Sequence, residues 1–258
     1  MFAARQGFFP PAAAVSSATS GLWVNNTNTL LSTTSTANLI TWKATTGYTV
    51  EYWIYVPSTA TLANLAFGQT DVPWGPGNHD NAGTNYNSFG LSPSLQVQWY
   101  YWGSGKFSVG TAANAVTTNS WNNIAMVATT TGSTTTMRIF VNGVQTNVRL
   151  NNAGAYASTY VNTNGVISTG TPYQFGPWSG SNSPAVFIDE LRVSNTARYT
   201  SNYTPATSEF VSDASTQLLI HFNGTVGSTT FTDSSGFART ISNPNSPFVT
   251  VSNTQGKF

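Results

Sequence analysis

The chain has 258 residues with 9 Lys+Arg, 8 Asp+Glu and no cysteine, and its formal net charge is +1. That length supports one large domain with its own core, and the missing thiols exclude disulfides and thiolate metal sites. There is no basic patch to follow phosphates, which argues against nucleic acid as a partner, and no apolar run approaches the ~20 residues of a membrane span. Disorder is excluded too, because aromatics reach 13% while charged residues are only 7%. The surface is therefore expected to be neutral and polar, rich in Ser, Thr, Asn and Gly. Such a surface suits an all-β protein packed beside copies of itself.

The chain opens MFAARQGFFPPAAAVSSATS. Arg5 before an apolar run resembles a secretory leader, but Pro10 and Pro11 interrupt the run. Residues 1–20 are read as an N-terminal arm that packs on a neighbouring subunit or on the domain itself. Next, YTVEYWIYVP (48–57) alternates with period two, so Val50, Tyr52, Ile54 and Val56 share one face and Glu51, Trp53 and Tyr55 the other. Both faces are largely apolar, which predicts a strand inside a sandwich; Pro57 ends it. Trp53 is read as a core residue, as is Trp121 further on.

Between residues 68 and 94 the sequence is rich in Gly, Pro and Asn and is read as one long loop. Loops of that length usually carry function. Trp74, His79 and Asp80 of this loop are candidate ligand-binding residues. VQWYYWGSG (97–105) has four consecutive aromatics, so a strand must place two on each face. Either Trp99 with Tyr101 or Tyr100 with Trp102 faces out or into an interface; Trp99 and Tyr101 join the candidate set. So does Trp178, in GPWSG. Aromatic rings with a polar tip suit sugar stacking, although they equally fill cores and subunit interfaces.

The clearest supersecondary unit is WNNIAMVATTTGSTTTMRIFVNGVQTNVRL (121–150). Gly132-Ser133 and Asn142-Gly143 are its turns, and Asn-Gly between apolar runs is a strong hairpin signal. A meander of three antiparallel strands is predicted. AVFIDELRVSN (185–195) alternates again and is expected to place Phe187, Asp189, Leu191 and Val193 on one face. TQLLIHF (216–222) and FVTVSN (248–253) are late strands; His221 is expected to be packed or at a sheet edge. No stretch carries sustained helical periodicity. Many short strands with polar turns predict a two-sheet antiparallel β-sandwich or jelly roll.

Taken in order, TVEYWIYVP, WNNIAMV…MRIFVNGV and FIDELRVSNTARYTSNYTP resemble the LamG-like, concanavalin A-like jelly-roll domain in the form common in bacteriophage virion proteins. The resemblance covers about residues 40–236. It implies two stacked antiparallel sheets, often with a binding site in rim loops. It also implies a virion location, with other virion proteins, copies of itself and host glycans as partners. In tandem proteins of this type, a segment like STQLLIHFNGTVGSTTFTDSSG begins a domain as its first strand. Here it follows the closing motif. Either residues 213–258 complete the same sandwich by circular permutation, or they start a second domain. Those 46 residues are too few to bury a core alone, which favours one jelly roll over residues 21–258.

The same superfamily contains glycoside hydrolases, which need two carboxylates flanking the bond. Only Glu51, Glu190, Glu209, Asp71, Asp80, Asp189, Asp213 and Asp233 are available, and none forms the E-x-D-x-E-like run of the related hydrolases. Asp189 and Glu190 are neighbours, expected on opposite faces of a strand; a carboxylate of this closing motif is expected to bond Arg198 or a turn backbone. His79 and His221 are the only histidines, and no G-x-S-x-G elbow occurs. The expectation is a protein that is not an enzyme and needs no cofactor. Calcium is the one metal the resemblance allows, with Asp71 and Asp80 as weak candidate ligands. The leading expectation is thus a structural virion protein decorating a capsid or tail. A carbohydrate-binding adhesin on a tail or fibre is the alternative.

Overall fold

A computed structural model describes residues 20–23, 31–33, 47–60, 65–70, 86–102, 107–132, 134–151, 153–162, 173–177, 186–243 and 249–258. These residues form a β-sandwich of two antiparallel sheets, with no helix among them. It follows that no helix here is long and apolar enough to cross a membrane.

The first sheet has nine strands: β1 (Ser20–Trp23), β3 (Tyr48–Tyr55), β8 (Trp121–Thr131), β9 (Thr134–Val141), β10 (Val144–Gln145), β12 (Tyr160–Asn162), β14 (Val186–Ser194), β15 (Thr216–Ile220) and β17 (Val249–Ser252). The second has eight: β2 (Leu31–Thr33), β4 (Leu65–Thr70), β5 (Tyr86–Leu91), β6 (Val97–Trp102), β7 (Phe107–Thr111), β11 (Val148–Leu150), β13 (Tyr173–Pro177) and β16 (Ile241–Ser242). The stretch read as one long loop (68–94) therefore contains the end of β4 and all of β5, whose Asn, Ser and Gly residues hid its alternation.

As the alternation of residues 48–57 requires, β3 lies mid-sheet between β8 and β14. Its Tyr48, Val50, Tyr52 and Ile54 meet Ile124, Met126, Met137, Leu191 and Val193 from the same sheet, and Phe89, Leu91, Val97, Trp99 and Val109 from the other. Each such fully buried apolar side chain contributes roughly 1.5–3 kcal/mol. Residues after 213 supply strands to both sheets. β15 pairs with β14 on the side that β1 also uses, and the two strands lie end to end along it. β17 pairs with β1, and β16 with β2. The Phe222 ring packs so closely on Gly21 that a Cβ there would stand 2.5 Å from Cδ1.

The meander forms as its turns dictate. Asn142 and Gly143 both take positive φ, 52° and 76°, as a type I′ turn needs. Gly143 is doubly constrained, since a Cβ there would lie 2.0 Å from the carbonyl oxygen of Tyr203. Gly143→Ala is expected to destabilise the fold by about 2 kcal/mol through left-handed strain and displacement of the segment carrying Tyr203. A urea melt tests this; an unchanged midpoint would show that the Tyr203 backbone yields freely.

Candidate functional site

The outer face of the first sheet presents Glu51 and Trp53 of β3, and residues 195–213 cross over it. Tyr199 and Tyr203 stack 3.6 Å apart at 8° and lie on Phe140, Ala125 and Val127. Tyr203 donates its hydroxyl to Asn123 Oδ1 at 2.5 Å. Glu51 is fully buried beneath this segment. Its Oε1 accepts Nε and Nη2 of Arg192 at 2.8 Å each, and its Oε2 accepts the Tyr199 hydroxyl at 2.8 Å. Arg198 stands 3.6 Å away and forks onto Asp213 at 2.8 and 2.9 Å. The bonding of Arg198 by a carboxylate is thus met by Glu51 and Asp213, not by Asp189 or Glu190.

Glu190 instead takes the other expected role and accepts a loop backbone N–H, but Asp189 and Glu190 correct a different expectation. The register of β14 against β3 shifts between Asp189 and Arg192, and Glu190 takes φ 53°. This bulge inserts one residue into the alternation. Leu191 and Val193 face the core, while Phe187 and Asp189 lie on the outer phase, opposite Tyr55 and Trp53. The two neighbouring carboxylates consequently share the outer side instead of pointing apart. Asp189 accepts the backbone N–H of Glu190 at 2.9 Å. Glu190 Oε2 accepts the N–H of Phe210 at 2.6 Å, and its Oε1 pairs with His221 Nδ1 at 2.6 Å.

Burial, with the adjacent Glu190 charge second, pushes the Asp189 carboxyl up to about 8. The hydrogen bond between His221 and Glu190 raises the pKa of His221, against a smaller opposing effect of burial. Phe258 meets Trp53 edge-on at 6.0 Å, and the Lys257 ammonium lies 4.2 Å over the Trp53 ring. Trp53 therefore belongs to an outer cluster with Phe210 and Leu219 rather than to the central core; Trp121 is only half-buried against it.

The remaining described carboxylates are also engaged. Asp233 accepts the N–H groups of Leu219, Ser235 and Arg239, and Glu209 accepts the Asn223 amide. Among the described residues, no group of three or more His, Asp or Glu is placed to hold a metal ion. Asp71, Trp74, His79, Asp80 and Trp178 lie outside the described residues.

On the second sheet, Trp99 is fully buried, edge-to-face with Tyr48 at 5.4 Å and tilted against Phe89 at 5.2 Å. A ring sealed in the core cannot stack on a sugar, which removes Trp99 from the ligand set. Tyr101 shares its strand phase, paired with Asn87 and Phe107. Tyr100 and Trp102 belong to the other phase. Trp102 pairs with Tyr86, and Tyr100 with Ser88 and Ser108. Along the same phase, Gly90, Gln98 and Gly110 form a buried row. The four-aromatic run showed that two rings must face away from the core, but no local signal says which two; Phe89 and Tyr48 decide that by closing around Trp99.

The chain belongs to the concanavalin A-like lectin/glucanase superfamily: the Laminin_G_3 family model matches residues 25–202. Its fold is similar to that of the native heptameric SAP-like pentraxin from Limulus polyphemus, with 15% identity and a TM-score of 0.44 over 73% of this chain and 81% of that one. It is also similar to tailspike protein 2 of Escherichia coli O157:H7 bacteriophage CAB120, with 15% identity and a TM-score of 0.39 over 67% of this chain and 22% of the tailspike. A third likeness is to the alginate lyase vAL-1 from Chlorella virus, with 12% identity and a TM-score of 0.37 over 69% of this chain and 84% of that one. No curated protein matches the chain. Likenesses this distant say nothing about what this chain binds or does.

Proposed function

We propose that this chain is a non-enzymatic structural protein of a bacteriophage virion, a jelly-roll module decorating the particle or its tail. It is held by the N-terminal arm and by packing between copies and with other virion proteins. The observation that carries the non-enzymatic part is the use of the carboxylates. Glu51, Asp189, Glu190 and Asp233 are at most 3% exposed, each bonded to backbone, arginine, histidine or tyrosine groups that hold the fold. A glycosidase needs two carboxylates open to one substrate. The virion assignment is supported by the closing motif FIDELRVSNTARYTSNYTP and its partners, and by the neutral polar surface.

Gold-tagged antibody on purified phage particles is expected to decorate the head or the tail; its absence from particles would overturn the assignment. Removing residues 1–19, which spares β1, is expected to leave the melting temperature within a few degrees and abolish incorporation. Normal incorporation of the shortened protein would refute the anchoring role of the arm.

A second reading, carbohydrate binding on a tail or fibre, is favoured by one observation. Tyr86, Tyr100 and Trp102 fall together on the phase of the second sheet opposite Trp99. Aromatic residues of these types are suited to stacking on sugars. On a glycan array, Trp102→Ala is expected to lose most of the signal; retention of the full signal would count against this face. Calcium coordination by Asp71 and Asp80 stays a proposal of the same standing, tested by calorimetric titration of calcium into the metal-free protein.

A further inference from the structure

The edge strands of the two sheets, β11 and β12, come together around a cleft of about 440 Å³. It is lined by Arg149, Leu150, Asn151, Ala153, Ala157 and Tyr160, among others. This is within the size range of small-ligand sites, and the apolar lining with few polar groups is also typical of them. Described residues of the enclosing loop are tied down by hydrogen bonds. Val148 and Ala157 exchange both backbone hydrogen bonds, at 2.7 and 2.9 Å, and Ala153 N–H donates to Leu150 at 2.8 Å. Asn151 and Gly154 take positive φ, and Asn151 Oδ1 accepts the Ser108 N–H at 2.7 Å.

Arg149 is the charged residue of this cleft. Its Nε is buried and has no hydrogen-bond partner among the described residues, and no ion pair there includes it. Its guanidinium lies 5.0 Å over the ring of Tyr156. That contact itself uses none of the guanidinium N–H donors. An unsatisfied buried donor is costly, so an acceptor that reaches it is favoured. No carboxylate lies nearby in sequence: residues 81–188 contain no Asp or Glu but do contain Lys106, Arg138 and Arg149. Over that stretch every charged residue is cationic, which favours an anionic ligand in the cleft.

We propose that this cleft binds a sugar residue carrying an acidic group. Arg149 engages the acid with its planar fork, as guanidinium groups do with carboxylates and phosphates. The apolar face of the ring lies on Leu150, Ala153, Ala157 and Tyr160. Tyr156 is a positioning residue, acting through Arg149. The proposal rests on the carbohydrate-binding reading but on a different set of residues.

The test is NMR titration of the whole chain at low salt with glucuronic acid, glucose 6-phosphate, glucose and inorganic phosphate. Glucuronic acid or glucose 6-phosphate is expected to shift resonances of residues 148–160 saturably, with at least tenfold weaker binding by glucose. Whichever of the two acids binds tighter identifies the acidic group. Arg149→Gln is expected to weaken that binding at least tenfold, and raised salt to weaken it as well. Ala155→Trp, at an exposed lining position, fills the cleft without touching the core and is expected to block binding even where Arg149→Gln does not fold. Saturation by glucose equal to that by the acids, no shift at 148–160, or inorganic phosphate binding as tightly as glucose 6-phosphate would each overturn the proposal. Glycan binding that is lost in Trp102→Ala but unchanged in Arg149→Gln overturns the cleft alone and leaves the broader reading standing.

Discussion

Glu51→Ala is expected to destabilise the fold by about 3–5 kcal/mol, the range for removing one partner of a buried ion pair. The reason lies in what remains. Arg192 is 8% exposed, and Glu51 accepts two of its donors while Val211 accepts a third at 3.3 Å. Without Glu51, Arg192 keeps its charge under the ring of Phe210, which lies 4.1 Å away. Tyr199 loses the acceptor of its hydroxyl, and residues 195–213 lose their central tie to β3. For a chain of this length, the change corresponds to a fall in melting temperature of roughly 10 °C. The discriminating measurement is a double-variant cycle. Glu51→Leu with Arg192→Leu is expected to be less destabilised than the sum of the single variants, since an apolar pair leaves no buried charge. Strict additivity would mean that the two residues act independently.

The parts of this architecture legible in the sequence are those fixed by local chemistry. Residues 48–57 alternate without interruption, and the strand they form lies mid-sheet with both phases covered. Asn142-Gly143 defines its turn because few other residue pairs tolerate two consecutive positive φ values. What the sequence hid is what long-range packing decides. β5 reads as loop because its Asn, Ser and Gly residues have low strand propensity, and pairing with β4 and β6 overrides that.

The bulge at Glu190 left no sequence signal, since positive φ there falls on a glutamate, which does not ordinarily favour it. One inserted residue moved Asp189 from the core phase to the outer phase, and with it the meaning of the Asp-Glu pair. Arg149 was equally silent: a lone arginine in the short strand β11 looks solvated until the fold shows that no described carboxylate pairs with it.

Stability is expected to fall as pH rises from about 4 to about 8, opposite to the usual effect of a salt-bridged carboxylate. An ordinary aspartate titrates near 3.9 in the unfolded chain, whereas Asp189 in the folded protein is pushed up to about 8. Between those values the folded state holds the extra proton, so stability must decline with rising pH until Asp189 ionises. The charges facing this group are Glu190 and Glu209, which favour its protonated form, and Lys257, whose backbone N–H opposes them. His221 adds a loss of the same sign: its raised pKa stabilises the fold below about 6.5 and ceases to do so as pH passes the folded value. Asp213, held low by Arg198, acts oppositely and only in acid, and its half-exposed side chain weakens its effect. The melting temperature is therefore expected to drop by roughly 5–10 °C between pH 5 and pH 8, a change of a few kcal/mol. Asp189→Asn carries no titrating proton at this position and is expected to flatten most of that slope, leaving the smaller contribution of His221. A native melting temperature that holds steady across this range, or a slope unchanged in Asp189→Asn, would show that Asp189 is ionised in its site and that the neighbouring N–H groups outweigh burial.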